Sequence, residues 1–277
     1  MAGTLYVVAT PLGNLGDLSP RAADTLKRVA VVAAEDTRHS KPLLTHTGSH
    51  AELVSFHAHS SERALERLLR ILSEGRDVAF ITDAGTPVIS DPGVALVAVA
   101  RERGIQVVTI PGPTAVAASL SVSGIGGDRY VFLGFLPRKG NDRRRLLLTV
   151  AQSEWTVVIF EAPNRVAQLL ADLADVCGAD RQASVSRELT KVFEETRSGT
   201  LQELSEHYAE APARGEVTVV IAGTGKQRVD ERLPPPDTGE RAKALLAEGL
   251  SRKDVADRLA EETGISRNAA YRLVNEL

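Results

Sequence analysis

VAFITDAGTPVISDPG, residues 78–93, is the stretch on which the reading of the chain turns. An apolar run ends at Ile81, and the next twelve residues hold two aspartates, two glycines and two prolines. A surface connection needs no such composition. A strand that stops against a rigid turn does, because glycine admits backbone angles closed to other residues and proline fixes its own. Turns at the carboxyl ends of buried strands are where open α/β sheets bind ligands.

Working outward, seven further short runs resemble Asp77–Ile81: Leu5–Ala9, Val29–Ala34, Gln106–Ile110, Tyr130–Leu133, Thr156–Phe160, Ala183–Ser186 and Val217–Ala222. They are near-continuously apolar, as in strands covered on both faces by helices. Helical spacing of leucines over Ser60–Glu74 and Asn164–Val176 supplies such helices. The alternation predicts an α/β protein with two α/β domains, residues 1–112 and 113–228. Charges and Pro234-Pro235-Pro236 mark a linker. Residues 239–277 then read as a small helix-turn-helix-like domain, with Ser251 and Ser266 as N-caps and Gly264 in the turn.

Composition excludes several classes. The 277 residues carry a formal net charge of −3, so nucleic-acid contact must come from a local patch. Cys177 is the single cysteine, which rules out an internal disulfide and a cysteine metal cluster. Neither a signal peptide nor a membrane span is expected, and the cytoplasm is the default location. The first strand is followed by Thr10-Pro11-Leu12-Gly13-Asn14 and not by a dinucleotide-binding G-x-G-x-x-G. Gly223-Thr224-Gly225-Lys226 lacks the rest of a phosphate loop. His57-Ala58-His59 has no third partner, so no metal site is expected.

Four glycine- or proline-rich turns follow separate strands: Thr10–Asn14, Asp83–Pro87, Pro111–Ala115 and Ala222–Thr224. One such turn is ordinary connection; four suggest a cradle with accessible main chain. Arg138, Lys139, Arg143, Arg144 and Arg145 form the densest basic run, suited to RNA phosphates. Phe56, Phe135 and Tyr271 are the candidate base-stacking platforms. Arg267, Asn268 and Arg272 stand where a helix-turn-helix would read nucleic acid, although residues 230–277 hold ten acids and eight bases.

These stretches, with AAEDTRHS, FHAHS, IPGPTA, FLGFLPRKG, FEAPNR, SRELTKVFEE and GEVTVVIAG in order, resemble the tetrapyrrole (cobalamin/porphyrin) methylase superfamily from residue 4 to about 223. The resemblance is closest to its branch acting on small-subunit ribosomal RNA. It implies S-adenosylmethionine as methyl donor and a cytidine ribose 2′-oxygen in the decoding region of 16S rRNA as acceptor. It further implies a homodimer, with the assembled 30S subunit as the expected substrate. By resemblance, the donor lies in a cleft between the two α/β domains, lined by Pro11, Asp83, Thr86, Thr114, Ala115, Glu161 and Ala222. For the chemistry, Arg38 is expected to hold a phosphate, Asp36 or Glu188 to orient the hydroxyl, and Lys191 to steady the alkoxide. A structural Asp36–Arg38 ion pair is the plain alternative. A small corrinoid or porphyrin substrate, or a non-catalytic nucleic-acid binder, are the competing functions.

Overall fold

The computed structural model of the chain describes residues 2–57, 60–90, 93–225, 237–263, 265 and 267–275. Residues Met1–Ala222 form one compact unit and Gly223–Leu277 a second. Among the described residues the first unit holds two five-stranded sheets.

The first sheet is built from β1 (Leu5–Val8), β2 (Val31–Ala34), β3 (Glu52–Ser55), β4 (Val78–Ile81) and β5 (Val107–Ile110), in the order β3-β2-β4-β1-β5. Every pairing is parallel. The intervening helices are α1 (Pro20–Arg28), α2 (Thr37–Thr47), α3 (Glu62–Ser73) and α4 (Val94–Glu102). Alternate strand residues point to opposite faces. Leu5, Val31, Val78 and Phe80 therefore pack with Leu69 and Leu72 of α3 and Leu96 of α4. Val8, Val32, Ala79 and Ile81 pack with Leu26 of α1 and Leu43 and Leu44 of α2. Two apolar layers explain why the strands read as continuous apolar runs.

After α5 (Ala115–Ser123) the chain enters the second sheet through β6 (Tyr130–Phe135) and α6 (Asn141–Gln152). Then come β7 (Thr156–Glu161), α7 (Val166–Cys177), β8 (Gln182–Arg187), β9 (Glu195–Thr200), α8 (Leu201–Glu210) and β10 (Val217–Ile221). The order is β6-β7-β10-β8-β9. Only β6 and β7 run parallel; β10 is antiparallel to both β7 and β8, and β9 to β8. Leu169, Leu170 and Leu173 of α7 and Leu201 and Leu204 of α8 cover one face over Ile159, Val185 and Val219. Val116 of α5 covers Val158 and Val220 on the other.

The second unit packs α9 (Thr238–Ala247), α10 (Arg252–Thr263) and α11 (Arg267–Asn275) around Leu245, Val255, Leu259 and Val274. Ser251 caps α10, its hydroxyl accepting the Asp254 N–H at 3.2 Å. Gly264, Ser266, Lys226 and the triple proline lie outside the described residues, as do the side chains of Asn268 and Arg272. Arg267 is paired with Asp257 within the unit.

Phe80 is fully buried and meets Phe56 edge-on at 5.8 Å between ring centroids. Phe80→Ala should lower the unfolding free energy by roughly 3–5 kcal/mol, seen as an earlier urea midpoint. Leu148→Ala, on a half-exposed site, should stay within about 0.5 kcal/mol of the parent.

Candidate active site

The first three expected turns meet at the carboxyl end of the parallel sheet. Thr10 N–H donates to the Gly85 carbonyl at 2.9 Å, and Gly85 N–H donates back to Thr10 at 3.1 Å. The Thr10 hydroxyl reaches the Thr82 carbonyl at 3.2 Å, and the Thr86 hydroxyl the Pro113 carbonyl at 3.1 Å. Gly85 has φ +81°, and a Cβ there would lie 3.3 Å from Leu12 Cδ2. Backbone angle and space both ask for glycine at that position.

Against these turns lies a cavity of about 330 Å³, at the small end of the range for small-molecule sites. Leu12, Asp83, Thr86 and Ile89 wall it from the first sheet, and Thr114 and Ala115 from the joining segment. Phe135, Phe160, Glu161 and Gly215–Thr218 wall it from the second sheet. Of the residues expected at a donor site, Asp83, Thr86, Thr114, Ala115 and Glu161 thus come together. Pro11 is buried and does not line the cavity, although its neighbour Leu12 does.

Ala222 is a correction. Because β10 runs antiparallel to β7, Val217 pairs with Glu161 and Ile221 with Val157. Ala222 therefore lies at the far end of the sheet, where its carbonyl accepts from Arg181 at 3.0 Å. The start of β10, not its end, faces the cavity.

Glu161 is the most buried charged group of the wall, with no side-chain exposure. One carboxylate oxygen accepts the Ala162 N–H at 2.7 Å and pairs with Arg165. The other, Oε2, is buried without a partner. A buried acceptor left open costs about 1–3 kcal/mol, more when charged, unless a ligand donor fills it. The apolar aromatic walls fit a flat ring, and the buried Glu161 oxygen beside them is an acceptor in want of a hydroxyl or ammonium donor.

At the rim, Asp36 is the N-cap of α2 and accepts the Arg38 N–H at 2.8 Å. The Arg38 guanidinium grips the same carboxylate, Nη2 to Oδ2 at 2.6 Å. The guanidinium and the N–H of Arg38 together hold the Asp36 carboxyl far below the usual carboxylate range. Asp83 is tied in on both oxygens: Oδ1 accepts the Asp36 N–H at 3.2 Å, and Oδ2 stands 3.2 Å from His39 Nδ1. Glu35 behaves oppositely to Asp36. Burial first, and then the charge of Asp83, raise its carboxyl above the ordinary 4.5. Asp36 and Arg38 are thus ion-paired, while the Arg38 side chain stays largely exposed. His39 and the raised Glu35 lie outside the set expected from sequence, although both stand in the stretch AAEDTRHS.

Across the cleft, Lys191 Nζ lies 2.9 Å from both Glu188 Oε1 and Glu216 Oε2. Burial pulls its pKa down, but the two carboxylates outweigh that and the net shift is upward. Lys191 in turn holds the Glu188 carboxyl below its usual range. A cation already matched by two anions is poorly placed to steady an alkoxide, and a carboxylate so held is a poor base. The Lys191 stem acts through its bulk instead, since a Cβ on Gly13 would fall 2.4 Å from its Cγ. Lys191 of the second sheet thus lies on the bare backbone of the first sheet's turn. Among the described residues, the non-glycine positions with positive φ are Val88, Ser90, Glu188 and Thr190. They flank the cleft from the two sheets, where strain is tolerated if the surroundings fix it.

The basic run divides. Arg138, Lys139, Arg144 and Arg145 are exposed around the start of α6. Arg143 is a correction: its side chain is 12% exposed, pairs with Asp172 of α7 at 2.5 Å and donates to the Pro137 carbonyl. It braces α6 on α7. Phe56 is buried in the core, whereas Phe135 and Tyr271 are about half exposed. Phe193, not among the expected platforms, is 72% exposed beside Lys191. Among the described residues no group of histidine, cysteine, aspartate or glutamate could hold a metal; Ala58 and His59 lie outside them. No helix among them is long and apolar enough to cross a membrane.

Comparison with known proteins agrees with this architecture. The family model for tetrapyrrole (corrin/porphyrin) methylases matches residues 4–205. The chain is 45% identical over 271 residues to ribosomal RNA small subunit methyltransferase I of Xylella fastidiosa, covering 97% of this chain and 98% of that one. It is likewise 45% identical over 272 residues to the protein of that name from Pseudomonas aeruginosa, covering 98% and 96%. Among solved structures, cobalt precorrin-4 methyltransferase superposes with a TM-score of 0.64 at 17% identity, covering 79% of this chain and 94% of that one. Uroporphyrin-III C-methyltransferase from Thermus thermophilus, complexed with S-adenyl homocysteine, does so with 0.57 at 19%, covering 81% and 97%. At such identities these two structures speak to the fold.

The raised Glu35 carboxyl yields a stability prediction. Between its unfolded value and its higher folded value, the native chain binds more protons than the unfolded one, so this contribution is lost as pH rises through that window. Glu35→Gln should therefore be more stable than the parent at about pH 7 and match it at about pH 3.5, by thermal melts at each pH.

Proposed function

The chain belongs to the tetrapyrrole methylase family, and we propose that it transfers the methyl group of S-adenosylmethionine to small-subunit ribosomal RNA, at the 2′-oxygen of a cytidine ribose in the decoding region of 16S rRNA. The observation that carries the reading is the cavity between the sheets, lined by Glu161, whose buried carboxylate keeps one oxygen unpartnered. That oxygen is suited to a hydroxyl or ammonium of the donor, while Phe135, Phe160 and Ile89 are suited to its flat and apolar parts. When bound, the donor supplies a sulfonium-activated methyl group. The cofactor-lining set is Asp83, Thr86, Thr114, Ala115 and Glu161, joined by Leu12 and by Gly215–Thr218.

The chain's own residues do the rest by position. Fixing two reactants in line can remove up to roughly 7–11 kcal/mol of barrier. The Lys191 stem on Gly13 sets the spacing between the two walls. Arg38, oriented by Asp36 and 86% exposed, is placed to meet a phosphate beside the target nucleotide. Arg138, Lys139, Arg144 and Arg145 neutralise further phosphates. The acceptor is RNA within the assembled 30S subunit, the working protein is a homodimer, and its place is the cytoplasm.

The test is transfer of labelled methyl to purified 30S particles and to naked 16S rRNA, followed by mass mapping. Label on one cytidine ribose, greater with 30S particles, is the expected result; label on a macrocycle and none on RNA would overturn the reading. Replacing Arg138, Lys139 and Arg144 together by alanine should reduce the slope of log affinity against log salt by about two to three. Arg143→Ala should leave that slope unchanged while lowering stability.

A further inference from the structure

Transfer to a ribose hydroxyl needs a group that takes its proton, and the carboxylates first considered are unsuited. Asp36 is saturated by Arg38, and Glu188 by Lys191 and by the Glu216 N–H at 3.1 Å. Asp83 lines the cavity, yet both its oxygens are engaged. What Asp83 engages is the informative point. His39, in the first turn of α2, turns Nδ1 toward Asp83 Oδ2 at 3.2 Å. A carboxylate can only accept, so Nδ1 carries the hydrogen and Nε2 of the neutral ring keeps its lone pair. The His39 side chain is 69% exposed, so a polymer as large as RNA can reach it. Asp83 is itself held from behind by the Asp36 N–H. Base, orienting carboxylate and the backbone that fixes the carboxylate stand in series, with Asp83 at the cavity wall. That is the arrangement by which an imidazole is kept in one tautomer for proton abstraction.

We propose that His39 is the general base of the transfer and that Asp83 is its positioning residue; this rests on the reading that RNA is the methyl acceptor. The proton of the ribose hydroxyl passes to His39 Nε2 as the oxygen lone pair forms the bond to the methyl carbon. The bond from that carbon to sulfur breaks with its electron pair left on sulfur, so the sulfonium charge is discharged as the imidazolium forms. The imidazolium then returns its proton to water. Glu35 is the rival base: its carboxyl is raised, but it is half-buried, whereas His39 is exposed to an approaching polymer.

Three measurements on the full chain test this. In single-turnover transfer to 30S particles, His39→Ala should be slower by roughly a hundredfold to ten-thousandfold, the usual worth of a general base. Its calorimetric affinity for S-adenosylhomocysteine should stay within about twofold of the parent, as expected of a group that acts on the acceptor. Nitrogen-15 spectra of the ring should show Nδ1 protonated and Nε2 bare in the parent, reverting to the Nε2–H form in Asp83→Ala. A His39→Ala rate within about threefold of the parent would overturn the assignment, given the size expected of a base. So would an Nε2–H ring in the parent, or loss of transfer in Glu35→Gln alone. A parent chain that methylates no RNA at all defeats the earlier reading and this assignment with it. A parent that methylates RNA while His39→Ala does so equally well defeats only the assignment.

Discussion

A two-way main-chain bridge between Thr10 and Gly85 is the constraint on which the cleft depends. β1 and β4 are neighbours in the sheet, and the connections that leave them run in opposite directions along it. The bridge pins the two departing turns to each other just past the strand ends. Glycine at 85 is what lets the second turn come close to Leu12 and Pro113. Thr86 then fastens the segment that leads to the second sheet. Main-chain bonds of this kind place a wall more firmly than side chains do, because they cost no rotamer freedom. The cavity takes its shape from that seam, and Lys191 lying on Gly13 fixes the opposite side.

The electrostatics of the cleft follow from how its charges are paired. Arginine or lysine already satisfies Asp36, Glu188 and Glu216. These groups hold the walls in place and contribute little reactivity. Three side chains stand apart in different ways: Glu161, paired with Arg165 through one oxygen, keeps the other unpartnered, Glu35 is raised by burial, and His39 is oriented by Asp83. Structural ion pairs and functional groups therefore interleave within a few residues of sequence, as in the run from Glu35 to His39. Composition alone cannot tell them apart, since both kinds are charged residues next to a strand end.

Much of the architecture was legible in the residues. Eight strands announced themselves because burial on both faces leaves an apolar run with no alternation. β3 and β9 did not. Glu52–Ser55 is an edge strand with two apolar residues, and Glu195–Thr200 has none. β9 is held by its ladder to β8 and by hydroxyl contacts such as Ser186 to Thr196 at 2.9 Å. The fourth turn failed for a related reason. Nothing local tells an antiparallel strand from a parallel one, so sequence alone puts Ala222 at the wrong end of its sheet. Arg143 belonged to a basic run, and only the packing of α6 on α7 sets it against Asp172. His39 carried a signal that pairing with a distant Asp83 alone makes meaningful.

The central claim is that the seam between the two sheets grips a sulfonium methyl donor, with Glu161 as the buried acceptor that recognises it. Calorimetric titration of S-adenosylhomocysteine into the parent chain and into Glu161→Gln tests it most directly. One saturable site per chain, weakened at least about tenfold by the substitution, is the predicted result, since a hydrogen bond to a charged group is worth about 1.5–3 kcal/mol. Absence of saturable heat with the folded parent, or equal affinity in both proteins, would contradict it.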